Sequence, residues 1–192
     1  MGIIDQKEEI NSLISRKSMF QNYYLQLWIE KHRLQDNQVH EFTVVNAADW
    51  VQVIPEIKDH TFLLVNQYRP AWRQMSLEFP GGRMNPNESP KECAVRELEE
   101  ETGYKARKLI KLATEKPVAY TTQTAHIFYA TDLVEGKKNT DPSEFTNSVF
   151  LTRNQVEQKI IEEEIIEVPS IASWALFSFK EKVLREKLDR LT

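Results

Sequence analysis

Residues 96–101 read RELEEE and place several carboxylates on any helix that they form. At about 100° per residue, Glu97, Glu100 and Glu101 fall within an arc of about 100°. Glu99 falls well outside that arc, toward solvent. Like charges three and four residues apart repel one another, and the negative end of the helix macrodipole adds to the cost. We therefore infer that a cation outside the chain stabilises the three clustered carboxylates.

The donor types in this cluster favour a hard cation. No histidine or thiolate accompanies the carboxylates, and oxygen ligands suit Mg²⁺ or Mn²⁺ rather than zinc. The preceding loop, EFPGGRMNPNE (78–88), contains two glycines, where a tight bend exposes backbone groups. The carbonyl of Gly81 is a candidate ligand, and Arg96 is a candidate to orient Glu100 four residues later. The competing interpretation is a solvated acidic helix face, which is the commoner role of such a run.

A helix is predicted over residues 90–102. Ser89 and Glu92 have the spacing of a capping box, with a proline at the first helical position. Gly103 suits the left-handed residue just past a helix end. The predicted core-facing residues of this helix are Ala94, Val95 and Leu98.

Strand patterns lie on both sides of this helix. Alternating apolar and aromatic residues predict strands in the segments 23–34, 39–48, 49–57, 60–70, 74–82, 105–116, 124–133 and 147–153. Helical periodicity appears at 154–164 and 170–191, and a short amphipathic helix is predicted at 5–17. Strands around a central helix, followed by more helix, predict an α/β layered fold with a mixed sheet rather than regular βαβ alternation.

The composition sets limits on the class of protein. The chain has 192 residues, of which 41% are hydrophobic and 28% charged, as expected of a soluble globular domain. A net charge of −4 offers no sequence-independent hold on nucleic acid or anionic lipid. Cys93 is the single cysteine, so a disulfide framework is excluded and a cytoplasmic location is the default. The apolar run 171–179 is too short to span a bilayer.

The spacing of glycine, glutamate and arginine residues over positions 82–104 resembles the Nudix box. Gly82 is followed after five residues by Glu88, and after seven more by RELEEETGY, which matches the box across residues 82–104. Tyr104 stands where an aliphatic residue is usual. Upstream, FLLVNQYRP and LEFPGG are similar to the ADP-ribose and nucleoside-diphosphate-sugar pyrophosphatase branch, with Gly81 in place of the usual alanine.

The resemblance implies a Nudix-type α/β/α sandwich with a mixed sheet and an N-terminal antiparallel β extension. It also implies Mg²⁺-dependent (or Mn²⁺-dependent) cleavage of a nucleoside diphosphate linked to a sugar, which yields a nucleoside monophosphate and a sugar phosphate. The metal ligands that it implies are those of the helix geometry: Glu97, Glu100, Glu101 and the carbonyl of Gly81.

Further roles follow from the resemblance. Glu88 is expected to support the loop or an outer water of the metal, while Arg96, as its spacing already indicates, is expected to support the ligands. Arg69 and Glu78 are candidates for holding the phosphates and nucleoside of the substrate. Glu144 is the candidate general base, with Glu162–Glu164 as competing carboxylates.

The resemblance also implies a domain organisation. Residues 1–45, a helix and strands, are expected to form an N-terminal extension that helps build a homodimer. Residues 46–192 are expected to form the Nudix hydrolase domain. Nucleic-acid and membrane partners are not expected.

The segment EKPVAYTTQ (115–123) departs from the ADP-ribose branch. It lacks the glycine of the proline-serine-proline-glycine loop usual there, and Gln123 replaces a frequent glutamate. The preferred sugar and nucleoside therefore stay open. Two other functions also stay open: a Nudix hydrolase of nucleoside triphosphates or capped RNA, and a non-catalytic nucleotide-binding module.

Overall fold

The structure, a computed structural model, describes residues 13–58, 60–137 and 146–189. Its residues form two compact units. The first unit contains the residues up to Ala48 together with Val118–Gln123, and the second contains Asp49–Pro117 and the residues from Thr124 onward. The division predicted between residues 45 and 46 stays a prediction.

The first unit contains a three-stranded antiparallel sheet. Its strands are β1 (Leu13–Gln21), β2 (Leu25–Arg33) and β3 (Val39–Ala47), in the order β1-β2-β3. The strands predicted at 23–34 and 39–48 are confirmed.

The helix predicted over residues 5–17 is wrong for residues 13–17, which belong to β1, and its remainder lies outside the described residues. The competing structure is stabilised by contacts across the sheet. The Nε of Arg16 donates to Glu30 at 2.7 Å, and its guanidinium carbon lies 3.7 Å from the ring centroid of Trp28. Such cross-strand pairs outweigh a weak helical pattern.

A segment distant in sequence extends this first unit. Val45 donates its N–H to the carbonyl of Tyr120 at 2.9 Å and accepts from the N–H of Thr122 at 3.0 Å. The hydroxyl of Thr122 donates to the side chain of Asn46 at 2.8 Å. The stretch in which the sequence departs from the ADP-ribose branch is therefore fixed through its backbone to β3.

The second unit contains a mixed sheet of seven strands in the path β10-β5-β4-β9-β8, with β6 on β5 and β7 on β4. Its strands are β4 (Trp50–Lys58), β5 (Thr61–Arg69), β6 (Gln74–Glu78), β7 (Gly81–Arg83), β8 (Tyr104–Glu115), β9 (Ala125–Glu135) and β10 (Thr146–Thr152). β4 and β9 run parallel, and the other pairs are antiparallel. The single strand predicted at 74–82 is interrupted before β7 at Pro80, which has no N–H to donate.

In the described ranges, three helices cover the two faces of this sheet, namely α1 (Pro90–Thr102), α2 (Arg153–Ile161) and α3 (Val168–Asp189). Val51 and Val53 of β4 pack in one buried cluster with residues of α1. Ile54 packs in a second cluster with residues of α2 and α3. Because neighbouring residues of a strand point to opposite faces, the second unit is an α/β/α sandwich, which confirms the predicted fold class. No helix in the described ranges is long and apolar enough to cross a membrane.

The bounds of α1 are those predicted from sequence. Both bonds of the capping box at Ser89 are present, and Gly103 has φ 80°. The buried stripe is rotated by roughly 60° from the predicted one, so Val95 is only half-buried while Glu97 and Glu101 are buried. Two of the three clustered carboxylates therefore lie on the face that α1 buries.

Candidate active site

The buried carboxylates of α1 meet the glycines of β7. Glu97 is 9% exposed and Glu101 is 3% exposed. The Oε2 of Glu101 accepts the N–H of Gly81 at 3.0 Å. A Cβ placed on Gly82 would lie 2.4 Å from Oε1 of Glu97. A side chain at position 82 would therefore have to displace the Glu97 carboxylate, which occupies that space.

The direction of the Gly81 carbonyl follows from the ladder between β7 and β4. Two residues before Gly82, the carbonyl of Pro80 accepts from the N–H of Val53 at 2.9 Å. Two residues after Gly82, the N–H of Met84 donates to the carbonyl of Asp49, just before β4, at 2.9 Å. Hydrogen bonding alternates along an antiparallel pair, so Gly82 faces β4 and Gly81 faces away from it. Since the N–H of Gly81 meets Glu101, the same alternation directs its carbonyl to the edge on which the Glu101 carboxylate lies.

Arg96 connects the carboxylates of this region. Its Nη1 donates to Glu97 at 2.7 Å and to Glu100 at 2.9 Å, and the predicted contact with Glu100 is thus confirmed. Its Nε and Nη2 donate to the two oxygens of Glu88 at 2.7 and 2.8 Å. The positive charge of Arg96 therefore offsets part of the repulsion between the clustered carboxylates, so an external cation is not the only source of compensation.

The donor set fits a hard divalent cation. It consists of two buried carboxylates, the half-buried Glu100 and a backbone carbonyl, all of them oxygen donors of the kind that Mg²⁺ and Mn²⁺ prefer. In the described ranges, no three carboxylate, imidazole or thiolate groups converge on one point. The Nη1 of Arg96 bonds to both Glu97 and Glu100 and so lies between these two carboxylates.

Glu88 closes the loop before α1. It accepts the N–H of Asn85 at 2.8 Å in addition to the bonds from Arg96. The guanidinium of Arg96 is the main cause that lowers the pKa of Glu88 from 4.5 to about 2. Glu88 therefore stays ionised and links the loop to the helix, as expected of a residue that supports the loop.

Arg69 and Glu78, both predicted to contact substrate, bind each other. Glu78 is 1% exposed and accepts from Nε of Arg69 at 2.9 Å, from its Nη2, and from Gln67 at 3.0 Å. The bond to Glu78 is the main cause that raises the pKa of Arg69, and Glu101 and Glu167 contribute. A fixed guanidinium, 40% exposed, thus lies in the field of the Glu101 carboxylate. In the structure, the carboxylate of Glu78 fixes the orientation of the Arg69 guanidinium.

Sequence reasoning missed a buried polar cluster beside this site. The Oε2 of Glu167 accepts from the N–H of Ser170 at 2.8 Å, from its hydroxyl at 2.5 Å and from Nε2 of Gln52 at 3.2 Å. Burial is the main cause that raises the pKa of Glu167. The sequence held one signal: Gln52 is a polar residue inside the apolar run of β4, with only 3% of its surface exposed.

The remaining candidate carboxylates lie elsewhere. Glu144 lies outside the described residues, and Glu162–Glu164 are exposed. Glu99 does not simply face solvent as predicted. It accepts the N–H of Lys137 at 3.1 Å and pairs with Lys105 at 3.1 Å, so it links α1 to the residues just after β9 and to the start of β8.

Comparison with known proteins identifies similar sequences. A sequence profile described as the NUDIX domain matches residues 46–170. The ADP-ribose pyrophosphatase of Bacillus subtilis is 25% identical over 177 residues, which cover 91% of this chain and 96% of that protein. The methanol dehydrogenase activator of Bacillus methanolicus is 27% identical over 173 residues, which cover 88% and 92% of the two chains.

A solved structure has the same fold. The crystal structure described as ADP compounds hydrolase superposes with a TM-score of 0.79 at 18% identity, and the match covers 90% of this chain and 95% of that one. At this identity the likeness concerns the fold.

Replacing Gly82 by alanine tests the contact between β7 and Glu97. The new Cβ displaces the Glu97 carboxylate, so we expect the Kd for Mn²⁺ to rise by about 10- to 100-fold, measured by electron paramagnetic resonance. Gly136→Ala is the matched control, because its Cβ would lie 2.9 Å from Oε1 of Glu99, outside the cluster. Equal Mn²⁺ affinity in the two variants would contradict the role of Gly82.

Replacing Glu88 by glutamine tests its pairing with Arg96. Because its pKa is lowered in the folded state, its contribution to stability is full above about pH 4.5 and is lost as the pH falls toward 2. We expect Glu88→Gln to lower the free energy of unfolding by about 1–2 kcal/mol at pH 7, and the difference to shrink between pH 4.5 and 3. Urea denaturation measures this, with the exposed Glu186→Gln as control. A difference independent of pH would show that the charge of Glu88 contributes nothing.

Proposed function

The chain belongs to the Nudix family, and from this premise we propose that it hydrolyses the pyrophosphate of a nucleoside diphosphate linked to a sugar. The products are a nucleoside monophosphate and a sugar phosphate. The observation that carries the proposal is the buried contact of Glu97 and Glu101 with the two glycines of β7. The Bacillus subtilis relative, named for ADP-ribose, supports this substrate class.

We propose Mg²⁺, or Mn²⁺ in its place, as the cofactor. Glu97, Glu100, Glu101 and the carbonyl of Gly81 would hold it. When bound, it supplies charge that polarises the phosphate oxygens and lowers the pKa of a bound water.

The remaining chemistry falls to side chains of this unit. Arg69, fixed by Glu78, offers N–H groups and a positive charge to the phosphate oxygens. Arg96 orients Glu97 and Glu100. We assign the removal of a proton from the attacking water to Glu144, on the resemblance to the sugar-pyrophosphatase branch.

A homodimer through the first unit is also part of the proposal. Its sheet and turns expose a group of apolar and aromatic side chains, namely Leu13, Ile14, Met19, Phe20, Tyr23 and Tyr24. Clustered exposed apolar side chains typically mark an interface. We further propose a cytoplasmic location, in keeping with the single, buried Cys93.

Replacing Glu101 by glutamine tests the hydrolase activity. Glutamine keeps an oxygen that accepts the N–H of Gly81 but removes the charge, so we expect turnover to fall by more than about 100-fold with the fold retained. Glu92→Gln is the matched control on the same helix, because glutamine also serves in a capping box. The substrates are ADP-ribose, sugar nucleotides, dinucleotides and nucleoside triphosphates with Mg²⁺, and the products are separated by chromatography.

The products of the wild-type protein distinguish the functions. Nucleoside monophosphate with sugar phosphate supports the proposal. Pyrophosphate released from triphosphates alone would assign the protein to the second class of Nudix hydrolase. Nucleotide binding without any turnover would indicate a binding module.

Replacing Phe20 by lysine tests the dimer. Phe20 is 52% exposed, so lysine is tolerated by the fold but not by an apolar interface. We expect light scattering to give twice the 22.5 kDa chain mass for the wild type and a monomer for the variant. Phe179→Lys, on the 84% exposed Phe179 of α3, is expected to stay dimeric. A monomeric wild type would exclude the dimer.

A further inference from the structure

The backbone of Phe79, between β6 and β7, is held by side chains. Its N–H donates to the hydroxyl of Ser170 at 3.0 Å, and its carbonyl accepts from Nε2 of Gln52 at 3.4 Å. The next residue, Pro80, has no N–H, although its carbonyl bonds to β4. The path of the chain into Gly81 is therefore set partly by α3, which lies far away in sequence.

The hydroxyl of Ser170 has its full set of hydrogen bonds. It donates to Oε2 of Glu167 at 2.5 Å, and it accepts from Phe79 and from Gln52, both at 3.0 Å. A hydroxyl has one donor and two acceptor positions, so its orientation is fixed. Ser170 is fully buried, and its removal leaves the buried N–H of Phe79 without this acceptor.

The segment Glu78–Gly81 is held from both faces of the sheet. On one side, Ser170 of α3 binds Phe79. On the other side, Glu101 of α1 binds Gly81. The same four residues carry the carboxylate that fixes Arg69 and the carbonyl assigned as a metal ligand. Pro80, whose ring fixes its φ angle, is the one residue between Phe79 and Gly81, so a displacement of Phe79 is expected to displace that carbonyl as well.

We propose that Ser170 is a positioning residue of the metal site, which acts through Phe79 to hold the Gly81 carbonyl beside the carboxylates of α1. This inference rests on the proposed function, in which that carbonyl is a metal ligand. Glu167 completes the arrangement: it accepts a hydrogen bond from the Ser170 hydroxyl and thereby directs the lone pairs of that hydroxyl toward Phe79 and Gln52.

The helix offers a matched control for the loss of a buried hydroxyl. Ser173, one turn later in α3, is also fully buried and donates to Oε1 of Gln52 at 2.7 Å. Its bond ties α3 to Gln52 of β4, which itself reaches Phe79 only through a long 3.4 Å contact, and in the described part of the chain Ser173 makes no hydrogen bond to residues 78–81. A purely structural role of α3 predicts the same effect for both serines.

The experiment measures Mn²⁺ binding by electron paramagnetic resonance, together with urea unfolding, for wild type, Ser170→Ala and Ser173→Ala. We expect both variants to lose similar stability. We expect the Kd for Mn²⁺ to rise about 10-fold in Ser170→Ala and to stay within about twofold of wild type in Ser173→Ala. Equal shifts in both variants, or none in Ser170→Ala, would overturn the inference. A wild type that binds no Mn²⁺ would instead overturn the proposed function.

A second pair of variants serves if Ser170→Ala does not fold. Glu167→Gln keeps an oxygen to accept the Ser170 hydroxyl, whereas Glu167→Ala removes it. We expect Glu167→Ala to raise the Kd for Mn²⁺ and Glu167→Gln to leave it within about twofold of wild type. Equal weakening in both would assign the effect to the charge of Glu167 and contradict the hydrogen-bond account.

Discussion

The burial of two glutamate side chains at the contact between α1 and β7 is the constraint on which the second unit depends. Removing a carboxylate from water costs several kcal/mol unless hydrogen bonds and opposite charge replace the lost solvation. Glu101 obtains this from the N–H of Gly81, and Glu97 from Arg96. The glycines, Arg96 and Glu88 therefore form one interdependent group. A side chain on Gly82 or a neutral residue at position 96 would remove part of what makes the burial possible.

β4 contacts both helical layers, and both layers therefore help to position the candidate site. Its odd-numbered residues Val51 and Val53 pack with α1, while Gln52 between them reaches α3. β7 is paired to the same stretch of β4. Anything that moves β4 relative to either layer therefore moves the glycines as well. The candidate site lies where α1, α3 and β4 all bond to the same short backbone segment, residues 79–81.

Local signals account for what the sequence predicted well. The bounds of α1 follow from a cap, a proline and a left-handed glycine, and the contact of Arg96 with Glu100 follows from helical spacing. What the sequence did not predict depends on distant partners. Residues 13–21 form the strand β1 because they pair with β2. The cluster of Gln52 with Glu167 and Ser170 joins residues that are more than 100 positions apart in the chain. The buried side of α1 was misjudged because the packing of its neighbours, and not apolarity alone, decides which face turns inward.

The position of Arg96 bears on how the protein is made. A cluster of acidic ligands usually leaves a nascent chain with uncompensated charge until its ion arrives, and folding then depends on the supply of that ion. Here the chain carries its own counter-ion, placed on the same helix as the carboxylates and bonded to two of them, Glu97 and Glu100, as well as to Glu88 of the preceding loop. Part of this charge is thereby compensated within the chain before any cation binds, so folding depends less on the supply of a metal ion.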